Sequence, residues 1–380
     1  MASVVETAPL VLNVGVVLLA AASGGYVARK VGLPAIVGYL LVGVMVSPFT
    51  PGFVADNNQI AILADIGVVL LLFEVGIEIN VKRIKREQGA LLWAAPAQIL
   101  IGLAITTPIF LYLGIPTLGA LLLGLSVAMS SSVVIVNITR SRKRTTDSAT
   151  EEALLGWSVM QDIVGVAIGA AILTFFSDTG ESLILEVGGL IGFALLAIIS
   201  GKTLPILLRA IHGQGDLLII YSVAIGLTVA ALGTVIFGIP MALASFVAGL
   251  AITHGEDTDG VRQAVLPFKD LFQVLFFVVI GSLIDVALVT EALPFTALLL
   301  GLLIIGKTLP SALLAKFGKM PARKGQLALG LSQVGEFSFV LGSAAFVAEA
   351  ITKVQFTALL LTTVVSIVIS TLAVRIRVKS

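Results

Sequence analysis

The feature that most constrains this chain is a succession of apolar runs, each long enough to cross a bilayer, broken only by short Gly, Pro or charged punctuation. They fall at roughly 9–28, 34–48, 60–79, 90–113, 118–139, 153–176, 187–208, 217–237, 241–253, 271–284, 295–315, 326–347 and 356–374. A crossing takes about 20 apolar residues, so about thirteen spans take about 260 of the 380 residues and, with short connectors, leave little for a soluble domain. Only 12% of the chain is charged and its mean hydropathy is +1.12, against about a quarter charged in a soluble domain. The expectation is an all-α membrane protein with a lipid bilayer as its first partner.

Basic residues orient it, because Lys and Arg in short connectors stay cytoplasmic. Every second connector carries them: Arg29 and Lys30; Lys82, Arg83, Lys85 and Arg86; Arg140, Arg142, Lys143 and Arg144; Arg209; Arg262 and Lys269; Lys316, Lys319, Arg323 and Lys324; and the tail with Arg375, Arg377 and Lys379. The intervening connectors hold almost none, Lys353 excepted. This places the N-terminus outside and the C-terminus in the cytoplasm; the expected location is the plasma membrane, the bacterial inner membrane. The first residues lack the basic flank and cleavage site of a signal peptide, so the first run is expected to stay as a membrane helix.

Several function classes drop out. With no cysteine there is no disulfide, thiol catalysis or Cys-based metal site. His212 and His254 lie in polar connectors and read as solvated loop residues. A net charge of +1 offers no polyanion-binding surface, so nucleic acid is not an expected partner. The string GQGD at 213–216 matches a motif of intramembrane aspartyl proteases, but Asp216 sits at the cytoplasmic mouth, far in depth from Asp162. No phosphate-binding Gly loop is present. The chain is read as no enzyme and as needing no cofactor.

Three segment pairs repeat at nearly one displacement: 32–43 with 238–249, 71–81 with 276–286, and 124–136 with 330–342, offset by 206, 205 and 206 residues. The offset spans seven helices, an odd number, so each element crosses opposite to its mate. Two inverted six-helix repeats joined by a linker helix at 187–208 are a signature of secondary transporters.

Ionisable groups inside a bilayer cost about 2.5–3.5 kcal/mol each and need a partner, water or a function. Asp162 lies about ten residues into its span, ~15 Å deep. Lys307 and Glu336 are also central, each on a different span. Asp162 reads as a carboxylate exchanging a proton for a monovalent cation, with Gln161 offering a neighbouring oxygen. The structural alternative is a fixed Asp162–Lys307 bridge. Ser130, Ser131 and Ser132 in one half, and Gln333, Gly335 and Glu336 in the other, break apolar helices at equivalent places; such breaks expose carbonyls and half-helix dipoles near the midplane. Serine-mediated helix packing is the alternative there. Glu74 is a candidate for the ion path, and Glu78 reads as an interfacial partner of Lys82.

The strings VGLPAIVGYLLVGVMVSP, LLLFEVGIEI, QD on the sixth span, LPFKDLFQVLFFVVIGSLID and GEFSFV, taken in order, resemble the monovalent cation:proton antiporter-2 family, Kef-type potassium/proton exchangers above all. The resemblance implies thirteen helices with crossed broken helices, the sodium/proton antiporter fold. It implies a homodimer and an elevator-like motion of a core (90–176 and 295–374) against a dimerisation scaffold (9–79 and 217–284). By position it makes Asp162 the cation-binding and proton-carrying acid, with Gln161 beside it, supported by Lys307, Glu336, Ser130, Ser131, Ser132 and Gln333. Kef-type proteins usually continue into a cytoplasmic nucleotide-binding regulatory domain; none lies within these residues, so the readings are a regulatory domain or subunit outside this chain, or a member that lacks one. The connector at 253–269 occupies the place of a regulatory loop and otherwise reads as a solvated turn. The expected function is K+ (more than Na+)/H+ antiport by alternating access. A Na+/H+ antiporter and a gated cation channel are the competing readings.

Overall fold

A computed structural model describes residues 4–50, 57–78, 89–131, 134–135, 146–176, 192, 195, 199, 203, 215–237, 241–252, 258–335 and 337–374. The described elements are all helical, as a bilayer requires: backbone donors and acceptors with no water around them must be satisfied within the segment. In chain order they are α1 (Val4–Lys30), α2 (Ala35–Met45), α3 (Asn57–Glu78), α4 (Leu91–Tyr112), α5 (Thr117–Ala128), α6 (Ser148–Phe175) and α7 (Gly215–Phe237). They continue as α8 (Met241–Ile252), α9 (Thr258–Ser282), α10 (Val289–Leu303), α11 (Leu309–Phe317), α12 (Lys324–Leu331), α13 (Phe337–Val347) and α14 (Lys353–Ala373).

Among the described residues, seven stretches are long and apolar enough to cross a membrane: 11–30, 91–112, 148–175, 216–237, 260–282, 286–317 and 353–373. Three shorter apolar helices, α2, α5 and α13, accompany them. Expected spans at 118–139 and 326–347 are not single rods, because α5 stops at Ala128 and α12 at Leu331. Most of the expected linker at 187–208 lies outside the described residues.

Turns are closed by the same device several times. After α4, the Ile115 N–H donates to the Phe110 carbonyl and the Gly114 N–H to that of Leu111, with Gly114 at φ +79°. This is the Schellman arrangement, whose left-handed residue is easiest for glycine. Pro116 then opens α5, where its missing N–H is no loss.

The chain divides into two compact units. One gathers the described parts of 1–26, 38–80 and 173–282, with α3 packed against α8 and α9. Leu70, Phe73 and Ile77 of α3 meet Ile225 and Val229 of α7, Ala244 and Ala248 of α8 and Val261 and Val265 of α9. Lipid removes the hydrophobic drive between helices, so close backbone approach through small residues has to hold them. A Cβ on Gly249 would lie 2.1 Å from the Phe73 carbonyl oxygen, 2.9 Å from Gly76 Cα and 2.9 Å from Ile77 N. A Cβ on Gly43 would lie 2.2 Å from the Val278 oxygen, 2.7 Å from Gly281 Cα and 2.9 Å from Ser282 N. The two crossings share one contact pattern.

The other unit gathers the described parts of 27–37, 81–172 and 283–380. Trp157 and Leu154 of α6 are fully buried in a cluster with Leu91, Ala94 and Ala95 of α4, Ala315 of α11 and Leu327 and Leu331 of α12. Asp147 starts α6: its Oδ1 accepts the Thr150 N–H at 2.8 Å, and its Oδ2 lies 2.8 Å from Arg323 Nε.

Candidate functional site: two crossed helix breaks beside Asp162

Two interruptions meet in the second unit. At the end of α5, Met129 turns to extended backbone (φ −95°, ψ 140°), and α12 gives way at Ser332 to non-helical chain through Gly335. The Gly335 N–H donates to the Met129 carbonyl at 3.0 Å. Gln333 reaches across twice: its Oε1 accepts the Ser131 N–H at 3.0 Å, and its Nε2 donates to the Ser131 carbonyl at 3.2 Å. The Ser130 hydroxyl donates to the Leu331 carbonyl at 2.8 Å. Each break thus satisfies backbone groups that the other leaves without a helical partner, which a low-dielectric interior demands. Gly335 is required by the approach, since a Cβ there would stand 2.7 Å from the Ser130 carbonyl carbon.

Lys307 secures the crossing. The helix from α10 to α11 swells into a π turn at Ile304–Thr308, where the Leu309 N–H donates to the Ile304 carbonyl. Pro310 lacks the N–H that a regular helix would direct at Gly306, so the local ladder is already interrupted. The turn aims the fully buried Lys307 at the breaks: Nζ donates to the Met129 carbonyl at 2.8 Å and to the Gln333 carbonyl at 2.6 Å. Both acceptors follow helix C-termini, the negative ends of α5 and α12, where a cation is favoured. Next to it, the Thr308 hydroxyl donates to Ser332 Oγ at 2.7 Å.

Helix α6 brings the acid. Gln161 is fully buried: its Oε1 accepts the Ser130 N–H at 3.3 Å, and its Nε2 donates to the Ala128 carbonyl at 3.2 Å and to Gln98 Oε1. Gln98 Nε2 donates to the same Ala128 carbonyl at 3.3 Å. The expected Gln161 oxygen is therefore engaged by the broken backbone. Asp162, the next residue, is half-buried. It shares a helix face with Gly165 three residues on, and a Cβ on Gly165 would stand 2.4 Å from Met129 Sδ. Asp162 follows the Gln161 that bonds the first break and has more solvent access than Gln161, Lys307 or Gln333.

Asp162, Gln161, Lys307, Ser130, Ser131 and Gln333 are brought together here; Ser132 and Glu336 lie outside the described residues. Glu74 belongs to the other unit, buried, with Oε1 2.8 Å from Arg262 Nε and Oε2 3.8 Å from Lys269 Nζ. The Glu78 side chain is outside the described set. Gln98, Thr308 and Ser332 were not anticipated from sequence. Gln98 had a signal, a lone amide eight residues into an otherwise apolar run; Thr308 and Ser332 are too common in membrane helices to stand out. Among the described residues no three His, Cys, Asp or Glu side chains converge as a metal cluster. What the arrangement offers is one accessible carboxylate, hydroxyls and carbonyls beside the buried Lys307 nitrogen.

The profile of the family "Sodium/hydrogen exchanger, transmembrane" matches residues 16–379. Among curated proteins, "Putative cation/proton antiporter YbaL" of Escherichia coli (strain K12) is 30% identical over 347 residues, covering 88% of this chain and 62% of that protein. The chain therefore spans about three fifths of that relative's length. Among solved structures, the sodium proton antiporter MjNhaP1 of Methanocaldococcus jannaschii at pH 8 superposes with TM-score 0.73 at 18% identity, covering 95% of this chain and 96% of that one. An electron-microscopy structure of MjNhaP1 gives TM-score 0.64 at 19% identity, covering 96% and 94%. At these identities the structural likeness speaks for the fold.

Proposed function

Given that the chain belongs to the transmembrane sodium/hydrogen exchanger family, a family of multi-pass transporters, we propose that it exchanges a monovalent cation, K+ in preference to Na+, for protons. The observation that carries this reading is the half-buried Asp162 beside two crossed helix breaks pinned by Lys307. A carboxylate there holds either a cation or a proton, and that exclusivity couples the two fluxes. Carbonyls and hydroxyls of the breaks supply neutral oxygens to a partly dehydrated ion, the ligand type that monovalent cations take. Lys307 balances the negative helix ends whichever ligand is bound. Gln161 and Gln98 keep the Ala128–Ser130 backbone in place.

Alternating access in this reading moves a core (90–176 and 295–374) against a scaffold (9–79 and 217–284), within thirteen spans arranged as two inverted repeats. The division into two compact units supports it. So do the glycine crossings: Gly43 and Gly249 are related by the 206-residue offset, and their partners Gly281 and Gly76 by 205. Met129 and Gly335, also related by 206, meet each other, as residues near a pseudo-two-fold axis do. The proposal includes an outside N-terminus, a homodimer, and a cytoplasmic nucleotide-binding regulatory domain or subunit.

The test is exchange in everted vesicles or proteoliposomes, with K+ and then Na+ added to an acid-loaded lumen and an internal pH dye read. Cation addition should raise internal pH, K+ at lower concentration than Na+, and Asp162→Asn should abolish the response. Cation flux without proton movement would make the protein a channel; pH-coupled exchange surviving in Asp162→Asn would reject the assignment.

A further inference from the structure

Two fully buried amides, Gln98 of α4 and Gln161 of α6, face each other in a way the backbone dictates. A backbone N–H can only donate and a backbone carbonyl can only accept, whereas a side-chain amide carries one end of each kind. The Ser130 N–H meets Gln161 at 3.3 Å, so that end of the amide is Oε1. Gln161 Nε2 then lies 3.2 Å from the Ala128 carbonyl and against Gln98. Gln98 has to turn its own Oε1 to that Nε2, which sends its Nε2 to the Ala128 carbonyl at 3.3 Å. Turning over either amide would leave oxygen against oxygen at Ala128, in a place where no water relieves the mismatch.

The consequence falls on the first break. Ala128 is the last residue of α5, a position whose carbonyl the helix ladder does not serve. It receives a donor from each amide. The Met129 carbonyl is likewise held by two donors, the Gly335 N–H and Lys307 Nζ. Gln161 cannot turn its oxygen toward an ion beside Asp162 without giving up its bonds to Ser130, Ala128 and Gln98. We propose that Gln98 is a specificity-determining residue that acts through Gln161. By fixing that amide and the Ala128–Ser130 backbone, it sets how closely the neutral oxygens of the first break can draw in on the cation. Selectivity between monovalent ions follows the number, field strength and rigidity of the surrounding oxygens. The smaller Na+ needs them drawn further in than K+ does, and a frame whose carbonyls are each held by two donors resists that movement. The proposal rests on the antiport reading for the ion; the amide geometry stands without it.

Exchange is measured in proteoliposomes with K+ and with Na+ for the wild type, Gln98→Met, Gln161→Met and the double variant. Methionine keeps the length of glutamine without its amide donor and acceptor. Gln98→Met should shrink the ratio of half-saturating Na+ to half-saturating K+ about three- to ten-fold, the size of one hydrogen bond, while the maximal rate with K+ falls less. Gln161→Met should shrink it as well, and adding Gln98→Met should change it no further, because a residue acting through another is silent once that other is gone. Gln98→Asn, which keeps the amide but reaches one methylene less far, should behave as Gln98→Met and serves where the methionine variant does not fold. An unchanged ratio in Gln98→Met and Gln98→Asn, or effects at the two sites that multiply in the double variant, would overturn the proposal. So would a wild type that does not prefer K+. A wild type that exchanges neither ion for protons refutes the antiport reading and this proposal with it, a result distinct from an active, K+-preferring wild type whose ratio Gln98 leaves unmoved.

Discussion

Replacing Gly335 with alanine tests whether the two breaks are locked together. The new Cβ would stand 2.7 Å from the Ser130 carbonyl carbon, 2.8 Å from its oxygen and 2.9 Å from Ser131 N. Ordinary contact begins near 3.4 Å, so the worst shortfall is about 0.7 Å. All three neighbouring atoms are backbone, so no side chain can swing aside, and the cost belongs in the upper part of the ~1–3 kcal/mol range for overpacking. Separating the strands of chain by that amount stretches the 3.0 Å bond from the Gly335 N–H to Met129 beyond hydrogen-bonding distance, which adds ~0.5–1.5 kcal/mol. The stiffer unfolded chain returns ~0.4–1 kcal/mol. The net loss is about 2–4 kcal/mol, a melting shift on the order of 5–15 °C if a unit of this size responds like a soluble domain. Thermal unfolding in detergent, followed by the fluorescence of the buried Trp157, reads it. Gly301→Ala is the control: no atom lies within 4 Å of its Cβ position in α10, and alanine there should be neutral or stabilising by up to ~1 kcal/mol. If Gly335→Ala melts with the control and exchanges cations at wild-type half-saturation, the crossing is not the rigid contact inferred here.

Two further outcomes follow from the geometry. Burial alone would raise the Asp147 carboxyl, but hydrogen bonds from Thr150 and the Arg323 guanidinium together hold it below the usual carboxylate range. A depressed folded-state value stabilises above the unfolded value of about 3.9 and is lost as pH falls through the lower one. Acidification below about pH 4 should therefore lower the melting temperature less in Asp147→Asn than in wild type, and an identical acid slope would refute this. Glu74→Gln leaves the partly buried Arg262 and Lys269 without their shared carboxylate, while Lys269 keeps Asp270 3.3 Å away. Because Arg262 reaches solvent, the loss should fall short of the ~3–5 kcal/mol of a fully buried broken pair, at about 1–2 kcal/mol. An unchanged melting curve would show that the ion pair contributes nothing.

The amino-acid sequence by itself determined the class of solvent, the helical character, the alternating charge of the connectors and the family. Hydropathy and local punctuation carry these properties, and the bilayer permits few alternatives to a helix. It also pointed to Asp162 and to the neighbourhoods of Ser130 and Gln333, since an acid in an apolar run and a cluster of hydroxyls or glycine are visible one segment at a time. Partner choice was decided only by the tertiary structure. Lys307 was weighed against Asp162 as a bridge, and its ammonium is found on two backbone carbonyls, at Met129 and Gln333, which no side-chain pattern encodes. Gln161 was expected to offer an oxygen to the ion, and its amide is found on Gln98 and the Ala128–Ser130 backbone. Glu74 finds Arg262 across 188 residues of chain. Such pairings depend on which helix faces meet and in what register, a property of packed backbones hundreds of residues apart and not of any local segment.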